Sequence, residues 1–158
     1  MASLTRYVGD TGKIIDTAAY RRAIKQSLDA AAKEAVKQFK RTTKTWEGQP
    51  DFTVANEGEF GRIVGTESQV YDYVTHGTRP HTIRPVAAQN LAFPTINTAK
   101  TSPNVIDSGQ GGSGGPVAFA VEVRHPGTKP RNFEQLVAAE VQPKLEDLFT
   151  RNFQEAQR

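Results

Sequence analysis

Three histidines are the side chains of this sequence best suited to metal binding or proton transfer. His76, His81 and His125 all lie in turns rich in glycine and proline. Three imidazoles around an open coordination position could hold a metal ion that activates water, so one hypothesis is a metal-dependent hydrolase. We favour the alternative that each ring bonds nearby backbone carbonyls and fixes the geometry of its loop, because no Asp or Glu directly neighbours a histidine to orient it.

Other catalytic chemistry has weaker support in the sequence. The absence of cysteine excludes thiolate nucleophiles, disulfides and cysteine-ligated metals. Gly109, Gly111 and Gly114 have the spacing of a nucleotide-binding loop, but Pro116 and a predicted strand follow where a helix is required. A carboxylate acid–base pair could come from four clustered acids that otherwise resemble solvated turn residues: Glu57, Glu59, Glu67 and Asp72. We therefore predict no catalytic residue, no metal and no cofactor.

Positive charge is concentrated in the first third of the chain. Of the 20 basic and 17 acidic residues, residues 1–50 hold ten and five, whereas residues 51–100 and 101–158 each have a net charge of −1. Lys33, Lys37 and Lys40 are the candidate interface residues, facing either DNA or another protein. A non-specific DNA-binding module is thus a further hypothesis, although a solvated helix face is the simpler interpretation.

A long helix is predicted to carry this charge. Asp16 is a suitable N-cap, and residues 17–44 repeat apolar side chains at helical spacing. Short strands are predicted at 52–55 and 60–64, joined by a turn, and the segment 70–74 fits either a strand or a short helical turn. Residues 82–85 and 91–94 are predicted to be extended, and 117–123 to form a strand.

The second half of the chain contains a glycine-rich stretch followed by another helix. Residues 95–116 have few apolar side chains, and five of the 13 glycines fall within 109–115, which predicts a long mobile loop. Asn132, with Gln135 three positions later, is predicted to cap the last helix. Pro143 should kink this helix or split it after about Val141.

These elements predict an α+β fold in one domain spanning residues 1–158. A long N-terminal helix and a kinked C-terminal helix would pack on a small antiparallel sheet, with 1–15 as an N-terminal arm and 95–116 as a loop. No membrane span or secretory signal is predicted, because no apolar stretch has the required length.

Two motifs carry a resemblance to a known family. Residues 71–85, from Tyr71 through the His76-Gly77-Thr78 turn to Pro85, resemble the pattern Y-x-x-x-(E/H)-x-G-T-x-x-H-x-I-x-P, and Leu91 and Phe93 follow. Residues 125–133 resemble a second pattern, H-P-G-T-x-x-x-x-F, which leads into the last helix. Both are similar to the neck, or tail-completion, proteins of long-tailed bacteriophages, and more distantly to the minor tail protein Z of lambda.

The resemblance implies a structural role without enzymatic activity. Such a protein forms a ring, expected to be a hexamer, at the head–tail junction or the tail end of the virion. Its neighbours would be the tail terminator and the head-closure or connector protein, and genomic DNA would cross the ring with at most weak non-specific contact. Assembly would take place in the cytoplasm of the host bacterium.

The residues that carry the resemblance are expected to form rigid turns rather than a reactive site. Glycine tolerates positive φ, and proline restricts the backbone on either side of each turn. The predicted turn residues are Gly77, Thr78, Pro80, His81, Pro85, His125, Pro126, Gly127 and Thr128.

Overall fold

The computed structural model describes residues 16–98 and 112–157 and has the predicted α+β architecture. Its elements, in chain order, are α1 (Thr17–Thr42), β1 (Thr53–Glu57), β2 (Gly61–Gly65), α2 (Gln69–His76), β3 (His81–Ile83), β4 (Leu91–Thr98), β5 (Gly112–Ala120), β6 (Val123–His125) and α3 (Phe133–Ala156). The strands form three separate antiparallel pairs, β1–β2, β3–β6 and β4–β5, rather than the single sheet that we expected. The predicted N-terminal arm, residues 1–15, lies outside the described residues.

Helix α1 begins and packs as its sequence indicates. The Asp16 carboxylate accepts hydrogen bonds from the backbone N–H groups of Ala18 and Ala19, at 2.9 and 3.0 Å. Small residues let α3 approach closely: Ser27 is fully buried and its hydroxyl accepts a hydrogen bond from the Asn152 amide at 2.9 Å. The two long helices therefore form one layer of the fold.

The core is a small aromatic cluster between α1, α2 and α3. Tyr71 lies at its centre, with ring centroids 5.1 Å from Phe52 and 5.6 Å from Phe133. Phe39 stacks on Phe52 at 5.3 Å, and Trp46 packs against Tyr71. Burial of Tyr71 selects the helical form of the ambiguous segment 70–74.

Two turns with similar sequences meet in space. We call residues 77–80 (Gly-Thr-Arg-Pro) and 127–130 (Gly-Thr-Lys-Pro) the paired turns. The Thr78 N–H donates to the Thr128 carbonyl at 3.0 Å, and the Thr128 N–H donates back to the Thr78 carbonyl at 3.2 Å. Gly77 and Gly127 have φ of 77° and 88°, as expected for turn glycines. The sequence predicts rigid turns here but does not predict that the two turns contact each other.

The paired turns also connect α2 to α3. The N–H of Arg131 donates to the Val74 and Thr75 carbonyls, both at 3.1 Å, and the Asn132 N–H donates to Thr75 at 3.2 Å. These bonds satisfy carbonyls at the end of α2 that have no partner within the helix. Asn132 adopts the left-handed conformation, with φ of 55°, to reverse the chain.

Of the predictions for the second half of the chain, the Asn132 cap is wrong, and the split of the last helix and the extent of the loop are corrected. The Asn132 side chain does not cap α3, because its backbone turns left-handed instead. The last helix is not split at Pro143: it is continuous, and Pro143 and Ala139 lie on its exposed side, where the lost hydrogen bond faces water. Within the predicted loop, residues 95–98 and 112–116 belong to β4 and β5 instead. The rest of that stretch, 99–111, lies outside the described residues.

Replacing either turn glycine should destabilise the fold. A Cβ at Gly77 would lie 2.5 Å from the Thr128 carbonyl oxygen, and one at Gly127 would collide with the Thr78 carbonyl oxygen. With the positive φ, we expect Gly77→Ala and Gly127→Ala each to cost about 2–4 kcal/mol of unfolding free energy. Gly48→Ala is the control, because its Cβ would meet nothing within 4 Å. Denaturant unfolding measures the difference, and equal midpoints for all three variants would contradict the argument.

The hydroxyl of Tyr71 should contribute little to stability. It is buried without a regular hydrogen bond, although the nearby hydroxyls of Thr42 and Thr75 partly offset the burial that raises the pKa of Tyr71 to about 12. We expect Tyr71→Phe to change the unfolding free energy by less than about 1 kcal/mol, whereas Tyr71→Ala should cost about 3–5 kcal/mol. A large loss in the phenylalanine variant would show that the hydroxyl is well bonded.

Candidate functional site

The predicted histidine site is divided between different environments. His81 and His125 face each other across the β3–β6 pair, with ring centroids 5.1 Å apart. His76 instead ends α2, where its Nδ1 lies 2.9 Å from Asp72 and its Nε2 lies 3.6 Å from Glu134. Within 16–98 and 112–157, no group of three or more His, Asp or Glu side chains is arranged to hold a metal ion.

His81 and His125 use ring nitrogens to fix local backbone, as the favoured interpretation predicts. The Nδ1 of His81 lies 2.8 Å from the carbonyl oxygen of Arg79. The Nδ1 of His125 accepts a hydrogen bond from the Gly127 N–H at 3.0 Å. The first contact lies where the chain leaves one paired turn and the second where it enters the other, so both rings contact the backbone of the paired turns; His81 meets a carbonyl, as predicted, whereas His125 meets an N–H.

His76 differs from the other two, and sequence analysis missed its partners. Asp72 precedes it by one helical turn, an i,i+4 spacing that would have identified the pair if 70–74 had been assigned to a helix. The hydrogen bond to Asp72, and then the charges of Glu134 and Asp72, raise the pKa of His76 above its ordinary value of 6.5, against a smaller opposing effect of burial. When the ring is protonated, it links α2 to α3 through Asp72 and Glu134.

Of the clustered carboxylates, Glu59 is paired with cations rather than with another acid. Glu59 bonds Arg21 and lies 3.1 Å from Lys25, and these cations lower the pKa of its carboxyl. The Arg62 guanidinium lies 2.5 Å from Asp29. These surface ion pairs attach the β1–β2 hairpin to α1, each with a small contribution to stability.

A cavity of about 340 Å³ opens beside the aromatic core. Phe39, Phe52, Val64 and Tyr71 line it, and polar side chains complete its walls: Thr66, Ser68, Asp72, His76 and Glu134. We call this feature the acid-rimmed cavity. Its apolar floor and charged rim could receive a side chain that has an apolar stem and a positively charged end.

The strands β4 and β5 form an extended arm. They pair with each other and have almost no contact with other helices or strands. At about 3.3 Å per residue, the eight residues of β4 extend about 25 Å. Strand β3 connects the first paired turn to β4, and β6 connects β5 to the second paired turn. The motif segments 71–93 and 125–133 therefore meet at the base of the arm.

Apolar side chains are exposed on both faces of the arm. The pairs Ala92–Phe119 and Pro94–Val117 share one face, on which Phe119 is 71% and Val117 is 56% exposed. Phe93 and Ile96 are also exposed. An isolated two-stranded hairpin with uncovered apolar faces is marginal in water.

Pro94 is compatible with this strand because the register shifts between Pro94 and Ile96. Proline cannot donate a ladder hydrogen bond, so it occurs at irregularities and edges of sheets. Glycine at 112, 114 and 115 gives the facing strand few side chains, but its backbone pairs without them. The glycine-rich composition of this segment predicts a loop, although its backbone pairs as a strand.

The remaining predicted residues occupy separate surfaces. Lys33, Lys37 and Lys40 are exposed on α1, and Gly114 lies in β5 rather than in a phosphate-binding turn. Gly109 and Gly111 lie outside the described residues. None of the helices in the described ranges has the length and apolar character needed to cross a bilayer.

Comparisons with protein-family models, with curated proteins and with solved structures return no match to this chain.

The environment of His76 predicts a pH dependence of stability. A raised pKa in the folded state adds stability that is fully present below the unfolded value of 6.5 and is lost as the pH rises through the folded value. We expect wild type to gain stability relative to His76→Gln at acidic pH only. An NMR titration should show that Asp72→Asn lowers the His76 pKa more than Glu134→Gln does. An unchanged pKa in Asp72→Asn would contradict the assignment.

Proposed function

We propose that this chain is a structural virion protein of a long-tailed bacteriophage. It forms a ring at the head–tail junction or at the tail end, completes the tail and lets DNA pass. The observation that carries the proposal is that the two motif segments meet at the base of an exposed apolar arm. Their role is therefore architectural: they hold the arm on the core.

The arm supports assembly as the function. Each of its strands has one edge that no other described strand pairs with, and such edges favour pairing with another chain. Its exposed apolar faces have the character of a surface that becomes buried only on association. A ring subunit needs such a surface, because each copy must contact the next through a non-identical patch.

The proposed location and partners follow from the motif resemblance. The protein belongs to the neck or tail of the virion, assembled in the bacterial cytoplasm as a ring, with six copies as the expected number. The tail terminator and the head-closure or connector protein are its neighbours. Genomic DNA crosses the opening with weak contact at most, since many phosphate contacts would retain it.

The arm gives a direct test of this proposal. Val117→Lys with Phe119→Lys puts two charges on one apolar face of the arm, so we expect the folded protein to lose self-association or assembly onto tails. Val54→Lys with Ile63→Lys is the control, because it adds the same charges at exposed apolar positions of β1 and β2. Sedimentation velocity and electron microscopy of complemented particles provide the measurements.

Two results together would exclude the proposed function. One is a wild-type protein that remains monomeric with every neck and tail partner. The other is a phage lacking the protein that still produces infectious tailed particles.

A further inference from the structure

The acid-rimmed cavity is lined by two carboxylates, Asp72 and Glu134, with His76 in contact with both, and it lies beside a chain segment whose net charge is opposite to that of α1. Residues 47–72, which include β1, β2 and part of α2, hold six acidic residues and one arginine, a net charge of −5. Residues 17–42 of α1 hold seven basic and two acidic residues, a net charge of +5. The net charge of the whole chain is small because a basic segment and an acidic segment nearly cancel each other.

Most of the opposite charges near α1 and the hairpin are already paired, but one row of lysines is not. Arg21 and Lys25 pair with Glu59, and Arg62 pairs with Asp29. Lys33 and Lys40 form no ion pair within the described residues, and Lys37 has one long contact, 3.8 Å to Glu34. These three lysines, which we call the basic row, are exposed.

The basic row cannot reach the cavity of its own molecule. Phe39 of α1 lines the cavity. With 3.6 residues per turn, Lys33, Lys37 and Lys40 lie about 100–160° around the helix from Phe39. The two charged surfaces therefore point to different sides of the subunit, as the two halves of a head-to-tail contact must.

We propose that the basic row of one copy docks on the acid-rimmed cavity of the next copy. The inference rests on the proposed ring and identifies the contact that closes it. Lysine stems would cover the apolar floor formed by Phe39, Phe52 and Tyr71. Their ammonium groups would share Asp72 and Glu134 at the rim with His76, which already contacts both carboxylates. A patch that binds a different patch on an identical molecule generates a ring when the rotation closes.

A second copy fits the basic row better than DNA does. Asp29 and Glu34 interrupt the positive charge of α1, and three lysines provide few of the phosphate contacts on which DNA affinity depends. The cavity, in contrast, presents apolar surface and carboxylates together, which suits a lysine side chain. Charge complementarity between two surfaces of one chain supports self-association directly.

Reversing each surface separately, and then mixing the products, tests the proposal. Variant one carries Lys33→Glu, Lys37→Glu and Lys40→Glu, and variant two carries Asp72→Lys and Glu134→Lys. We expect each alone to weaken self-association by about tenfold or more, because attractions become repulsions. The mixture should recover it, since the inverted surfaces complement each other in an alternating ring. Sedimentation velocity at low and high salt measures both effects.

Matched variants separate docking from general effects of charge or folding. Glu140→Lys with Glu155→Lys makes the same charge change as variant two on exposed positions of α3, and should leave association unchanged. Glu134→Lys alone keeps the Asp72–His76 bond and should still weaken self-association, so it replaces variant two if that bond is needed for folding. Circular dichroism and melting curves check that each variant is folded.

The outcomes distinguish this inference from the proposed function. Wild-type oligomers that are unaffected by either reversal overturn the docking contact and leave the ring proposal intact. A wild type that never associates, alone or with neck and tail proteins, removes both. The third outcome has two parts: the mixture does not recover association, and variant one loses the salt-dependent binding to a 30-base-pair duplex that fluorescence anisotropy detects for wild type. In that case the basic row binds DNA, and the docking contact between copies is wrong.

Discussion

The reciprocal backbone bonds between Thr78 and Thr128 are the constraint on which the rest of this structure depends. They join residues 50 positions apart, so they close a long segment at a substantial entropic cost. Two glycines make the approach possible, because a Cβ on either would meet the carbonyl of the opposite turn. The same contact fixes the end of α2, the start of α3 and the base of the arm.

This constraint explains how a polar chain of 158 residues supports both a core and an assembly surface. The mean hydropathy is −0.54, and the fully buried large side chains are few. Part of the apolar content lies not in the core but on the arm, in Phe93, Ile96, Val117 and Phe119. The core therefore needs only to hold the paired turns, and association would supply the burial that the arm lacks.

The elements that could be predicted are those whose signals are local. Helix α1 has a capping Asp16 and a regular apolar repeat, and its observed end at Thr42 is close to the expected one. The segment around Tyr71 stayed ambiguous because aromatic and β-branched residues favour strands, and only burial among Phe52 and Phe133 decides for a helix. The β4–β5 pairing and the left-handed Asn132 depend on contacts between distant segments, which no local pattern reveals.

The contacts of the candidate site also depend on residues that are distant in sequence, so the sequence alone does not predict them. The turn residues were identified by composition, but their reciprocal contact and the His76–Asp72 bond require the fold. The charge pattern is visible in the sequence as a basic helix followed by an acidic segment, yet which charges remain unpaired depends on the position of Glu59 and Asp29. The surfaces that remain differ in sign and direction, which the proposed head-to-tail contact requires. A twofold dimer could pair them only if both lay on one face of the subunit.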